Sequence, residues 1–161
     1  MKNLFITALI TLLSLPVFGQ AFDSAVGLRL GNPISVSYKK FFNEKAAGEA
    51  YVGFEDYVGA TWLSVNAAYL LHEDLEVEGL EGLQWYYGAG AGLNNISSDF
   101  GGGSTFFTIA GYIGLSYVFE NIPLNLSIDW VPSIFIGSDL GPLGGFDAGY
   151  GALSARYILN Q

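Results

Sequence analysis

From Val26 to Leu159 the chain repeats one pattern: an apolar side chain at every second position, with a small or polar residue between. In a strand, alternate side chains point to opposite faces, so this period builds one apolar face and one polar or small face. The clearest stretch is Gln84 to Asn94, where Trp85, Tyr87, Ala89, Ala91 and Leu93 oppose Tyr86, Gly88, Gly90, Gly92 and Asn94. In Thr105 to Glu120, Phe107, Ile109, Ile113, Leu115, Tyr117 and Phe119 oppose Thr108, Ala110, Tyr112, Gly114 and Ser116. The same reading covers Leu63 to Leu71, Leu124 to Trp130 and Leu153 to Leu159, and in weaker form Val26 to Leu30, Ile34 to Lys39 and Glu49 to Glu55. Several of these eight candidates reach the ~9–11 residues that a tilted strand needs to cross a bilayer.

An open strand edge in hydrocarbon would leave backbone N–H and C=O groups unpaired, so membrane strands must close on themselves. The expected fold is therefore all-β: an eight-stranded antiparallel up-and-down transmembrane β-barrel. An even strand number puts both termini on one side, the periplasmic one. The inner turns then fall at Asn43 to Ala47, His72 to Gly82 and Glu120 to Pro123. The outer loops fall at Asn32-Pro33, Tyr57 to Ala60, Asn95 to Ser104 and Gly137 to Phe146. Pro132 has no N–H for the ladder and is expected at a bulge or beyond the rim.

Period alone does not say which face is inside. A secreted lipocalin-like barrel would turn the apolar face inward around a ligand. The membrane arrangement fits better, because Gly, Ala, Ser and Asn suit a narrow interior. Trp85, Tyr87, Tyr117, Phe119, Trp130 and Tyr157 would then form interfacial girdles.

Before this region, Lys2 gives a short positive segment, Leu4 to Leu15 an apolar run, and Pro16 to Ala21 a small-residue cleavage zone. That is a secretory signal peptide, with residues 1–19 removed, or cleavage as late as 21, and residues 20–161 forming one barrel domain. Fifteen acidic against six basic residues, a formal charge of −9, exclude a nucleic-acid surface, which needs clustered Lys and Arg. The absence of cysteine excludes disulfides, thiolate metal sites and a cysteine nucleophile.

Several motifs carry a resemblance. Ala25 to Gly31 leads into Ser37-Tyr38-Lys39-Lys40-Phe41-Phe42-Asn43, followed by Trp85-Tyr86-Tyr87-Gly88-Ala89-Gly90 and the closing Ala152-Leu153-Ser154-Ala155-Arg156-Tyr157. Together with the signal peptide, the chain resembles the small, uncharacterised outer-membrane β-barrel proteins of Bacteroidota, and more broadly the OmpA/OmpX-type barrels. The resemblance implies residence in the outer membrane, contact with its lipid and insertion by the barrel-assembly machinery, with no assigned catalytic residue. Such chains commonly end on an aromatic residue read during insertion; here Tyr157 and Leu159 keep the outward alternation instead.

Chemistry-bearing residues are few. His72, the single histidine, stands beside Glu73 and Asp74 and reads as part of a solvated turn, as do the acids up to Glu81. Gly88-Ala89-Gly90-Ala91-Gly92 lacks the spacing of a phosphate loop and reads as close packing in the lumen. No catalytic, cofactor-binding or metal-ligating set is expected. By parity, Arg29, Lys39, Glu49, Glu55, Asp129 and Arg156 share the lumenal face, three positive and three negative charges. In a narrow interior these pair, as a structural plug or as the lining of a narrow path for ions or solutes. A symmetric last hairpin would set residue 129 opposite residue 154 and bring Asp129 within diagonal reach of Arg156.

Overall fold

The computed structural model describes residues 22–137 and 144–160. The expected signal peptide and its cleavage site lie outside the described residues, as does the middle of the Gly137 to Phe146 loop. Within them the chain forms strands and no helix: β1 (Ser24–Leu30), β2 (Ser35–Phe41), β3 (Ala46–Tyr57), β4 (Ala60–Asp74), β5 (Leu83–Ser98), β6 (Gly103–Val118), β7 (Leu124–Trp130), β8 (Ser133–Ile136), β9 (Gly145–Asp147) and β10 (Gly151–Asn160). Hydrogen bonding runs β5-β4-β3-β2-β1-β10-β7-β6, and β6 pairs back onto β5. The sheet is thus closed, with every neighbour antiparallel. β8 prolongs β7 along the same partner, β6, and β9 prolongs β10 along β8, so the ten segments make an eight-stranded antiparallel barrel.

Pro132 explains why two strands are interrupted. It has no N–H to donate, although its carbonyl still accepts from Gly111 N at 2.9 Å. The register with β6 is the same on both sides of it, Ile113 facing Trp130 and Ala110 facing Ser133. On the opposite flank it slips: continuing the Trp130–Gly151 pairing would set Ser133 against Ala148, but Ser133 pairs with Asp147. The bulge at Ala148-Gly149 absorbs that extra residue. Trp130 Nε1 donates to the Ala148 carbonyl at 2.6 Å and Gly149 N to Asp147 Oδ1 at 2.6 Å, fixing the bend.

Both described ends of the chain, and the turns at 42–45, 75–82 and 119–123, lie at one end of the barrel, the terminal end. The connections at 31–34, 58–59 and 99–102 lie at the far end, as do Gly137 and Gly144. Two expected boundaries move. The loop from Asn95 to Ser104 shrinks, because β5 runs to Ser98 and β6 starts at Gly103. Polar rungs carry the ladder past the apolar band there, with Asn95 Nδ2 donating to Thr105 Oγ1 at 2.8 Å. Gly101 and Gly102 close the turn at φ +94° and +90°, a region open to glycine. At the other end β4 continues to Asp74, so His72 belongs to a strand and not to a solvated turn.

The two faces sort as the alternation requires. Leu115 and Ile128, paired across β6 and β7, are 45% and 57% exposed on the outside. Leu28, Val65, Ile109 and Leu153 are similarly exposed, whereas the residues between them are largely buried. The apolar face therefore points outward, the reverse of a lipocalin-like arrangement. Outer aromatic side chains gather near the terminal end, where Trp85 stacks on Tyr87 at 5.2 Å, Tyr117 meets Phe119 edge-on at 4.8 Å, and Phe42 lies parallel to Tyr69 at 6.5 Å.

Candidate functional site

The lumen is filled in layers. At the terminal end Phe22, Phe41, Val118 and Ile158 form an apolar floor, with Phe22 and Phe41 edge-to-face at 4.9 Å. At the far end Trp62 and Phe106 pack with Phe135 and Tyr150. Between them lies a layer of buried charge.

Each member of that layer comes from a different strand, brought inward by parity. Arg29 of β1 grips Asp129 of β7 with a two-pronged pair, Nη1 to Oδ2 at 2.7 Å and Nη2 to Oδ1 at 2.8 Å. Arg156 of β10 donates to Glu49 of β3 at 2.5 Å, reaching past β1 and β2, and its other nitrogens donate to Ser37 Oγ at 2.9 Å and Ser127 Oγ at 2.8 Å. Arg29 Nη1 also stands 3.9 Å from Glu49 Oε1, which joins the two pairs into one cluster. Charge-assisted bonds of this geometry are the strong class, and burial makes them interdependent.

Tyrosines complete the layer. Tyr86 of β5 donates its hydroxyl to Asp129 Oδ2 at 2.6 Å. Tyr51 and Tyr112 share a hydroxyl–hydroxyl bond of 2.6 Å across the lumen, and the Arg29 guanidinium lies over both rings at 4.9 and 5.9 Å. Gly114 makes the Tyr86 contact possible. It pairs with Asp129, and a Cβ there would sit 2.5 Å from the Ile128 carbonyl oxygen and 2.7 Å from Tyr86 Cζ.

Two of the six expected charged residues stand apart. Lys39 is fully buried, but its ammonium has no hydrogen-bond partner among the described residues and lies 4.6 Å from the Tyr86 ring centre. Glu55 does not join the cluster: it is only half-buried and sits near the far mouth beside Asn32 and Tyr57. The reason is height. Glu55 is six residues further along β3 than Glu49, beyond the reach of either arginine. Of the six, the buried layer thus holds Arg29, Lys39 and Arg156 with Glu49 and Asp129, and Glu55 lies outside it.

The expected Asp129–Arg156 pair is also replaced. Asp129 faces Ala152 and Arg156 faces Asn125, two residues from the symmetric register, because Phe135 pairs with Gly145, so the last hairpin centres earlier than the midpoint of Gly137 to Phe146. Each residue finds a partner across the barrel instead. The parity that places Arg29 inside also places Tyr51, Tyr86 and Tyr112 there, which is the signal by which these network members are legible.

His72 packs between Phe41 and Tyr86, at ring distances of 4.8 and 4.9 Å. Neither ring nitrogen has a hydrogen-bond partner among the described residues, and the ring is 1% exposed. No group of three or more His, Asp or Glu among the described residues is placed to hold a metal ion. At the terminal rim, outside the barrel wall, Lys45 Nζ donates to Glu73 at 2.6 Å, which holds that ammonium above the usual lysine range.

Fold and lumen together define a closed β-barrel with an apolar outside and a packed, ionised interior. No family model matches the chain, and no curated protein matches it. Among solved structures, the crystal structure of Neisserial surface protein A is similar at 16% identity and a TM-score of 0.48, covering 85% of this chain and 94% of that one.

Proposed function

We propose that the chain is an outer-membrane β-barrel of the OmpA/OmpX type, with both termini periplasmic, that serves a structural or interaction role in the cell envelope without enzymatic activity. The observation that carries this reading is the outward apolar face. Leu63 to Leu71, Trp85 to Leu93 and Phe107 to Leu115 present no charged side chain outward, and in water that surface would be an aggregation hazard. In lipid it is the expected solvent-facing surface of a barrel. Its partners are then outer-membrane lipid and, during insertion, the barrel-assembly machinery.

The Arg29–Asp129 and Arg156–Glu49 pairs act as struts and make the lumen a plug. Stranding any one of these charges is expensive, so the layer resists opening. Cell fractionation with a heat-modifiability gel tests the location: the protein stays with the outer membrane and migrates differently before and after boiling. A soluble periplasmic protein with no mobility shift contradicts it. Planar-bilayer recording tests the plug, which requires a silent wild type. Steady wild-type conductance would favour the narrow path instead.

A further inference from the structure

Beyond the charge layer, toward the far end, two adjoining cavities interrupt the packing of the lumen and together form a pouch. Its mouth is a cavity of about 420 Å³ walled by Trp62, Phe106, Phe135 and Tyr150, with Asn32 and Asp147 at the rim. Ligand sites commonly fall between about 300 and 1,000 Å³ and combine apolar or aromatic walls with a few directed polar groups. These four rings meet edge-on in three pairs: Trp62 on Tyr150 at 88°, Phe106 on Phe135 at 78° and Phe135 on Tyr150 at 69°.

The floor below has the opposite chemistry. Ser35, Ser64, Asn66, Asn94, Thr108 and Ser133 line a smaller space of about 60 Å³ that shares Trp62, Phe135 and Tyr150 with the mouth. Ser64 is 1% exposed and its hydroxyl has no hydrogen-bond partner among the described residues. Gly53 leaves room for these side chains, since a Cβ there would lie 2.6 Å from Pro33 Cγ and Ser35 Oγ and 2.7 Å from Ser64 Oγ. Arg29 borders the floor, but both of its terminal nitrogens are taken by Asp129, so its charge is not free for an anion.

We propose that this pouch is a binding site for a neutral saccharide unit, its ring stacked on the aromatic wall and one hydroxyl arm reaching Ser64 and Asn66. An alkyl chain would fill the mouth equally well, but it would leave the already buried Ser64 hydroxyl unpaired, whereas a sugar hydroxyl would relieve that cost. A sugar offers C–H faces to the rings and hydroxyls to the floor. The reading of the far end as the cell-exterior side says where such a sugar would come from; binding by the purified barrel does not depend on it.

The test is NMR titration of the purified protein in lipid nanodiscs, following the indole N–H of Trp62, with N-acetylglucosamine, galactose and mannose as probes. A saturable shift of the Trp62 signal by at least one of these, with Kd about 1 mM or tighter, is expected. Trp85 and Trp130, outside the lumen, remain unmoved. Ser64→Ala and Asn66→Ala should each weaken binding several-fold, while Ser116→Ala, at the terminal side of the charge layer, leaves it unchanged. Heat-modifiability of every variant confirms that the barrel is intact. No shift from any of the three sugars on an intact barrel overturns the proposal, as does displacement of the Trp62 signal by octanoate but by no sugar. Neither result touches the membrane location, which fractionation decides separately.

Discussion

Leu115 and Ser116 are neighbours in β6 and obey opposite rules. Leu115 is half exposed against Ile128, in a band without charge, whereas Ser116 is buried and its hydroxyl accepts from Asn125 Nδ2 at 2.8 Å. Outside, on the proposed membrane reading, neighbours are interchangeable as long as they are apolar, because lipid makes no directional demand. Inside, each group is held by a named partner on another strand, as Asp129 is by Arg29 and Tyr86. The outer face is therefore specified by composition and the inner face by geometry.

The largest effects belong inside. Asp129→Asn or Arg156→Gln leaves an opposite charge without its full partner in a dry lumen, and urea unfolding in lipid should show a loss of about 3–5 kcal/mol. A double-mutant cycle sharpens this: Arg29 with Asp129, and Arg156 with Glu49, should be strongly coupled, and Arg156 with Asp129 much less. Next comes the outside, where Leu115→Arg should cost about 2–4 kcal/mol near the bilayer midplane. If Leu115→Arg proves harmless, the two faces are not solvated as argued.

Smaller effects refine the contrast. Gly114→Ala pushes a methyl between Tyr86 and Asp129 and should cost about 1–3 kcal/mol by overpacking. Ser116→Ala removes one neutral hydrogen bond and should cost about 0.5–1.5 kcal/mol. Lys39→Met keeps the volume and removes the third cation from a layer with two carboxylates, so stability should stay within about 1.5 kcal/mol of wild type or rise. A large loss would mean that the Lys39 ammonium is held by more than the Tyr86 ring.

How much of this is legible in the sequence follows the same division. The alternation through Trp85 to Leu93 and Phe107 to Leu115 is a local property of each strand, so the strands and their division into two faces can be read from it, while which face is inside rests on the small size of the Gly, Ala, Ser and Asn set. The partners inside cannot be read that way. Which inward residue meets which depends on the register around the ring, and the last hairpin pairs Phe135 with Gly145 where a turn symmetric about Gly137 to Phe146 would set another register. Parity placed Glu55 with the other charges, but not its height, and height separates it from the two arginines. His72 looked like a turn residue because Glu73, Asp74 and Glu76 follow it, yet its ring fills the space between Phe41 and Tyr86. The charges place the strand end at Leu71, and β4 runs three residues further, to Asp74.

The central claim is that the alternate residues facing out of the barrel are solvated by lipid. Because the chain contains no cysteine, single cysteines can be placed and spin-labelled one at a time from Phe107 to Tyr117 of β6 in reconstituted bilayers. Collision with oxygen, which concentrates in hydrocarbon, should alternate with period two: high at positions 107, 109, 113 and 115 and low at 108, 110, 112 and 114. A profile with no period, or with water-soluble relaxation agent reaching the outward positions as freely as oxygen, would contradict it.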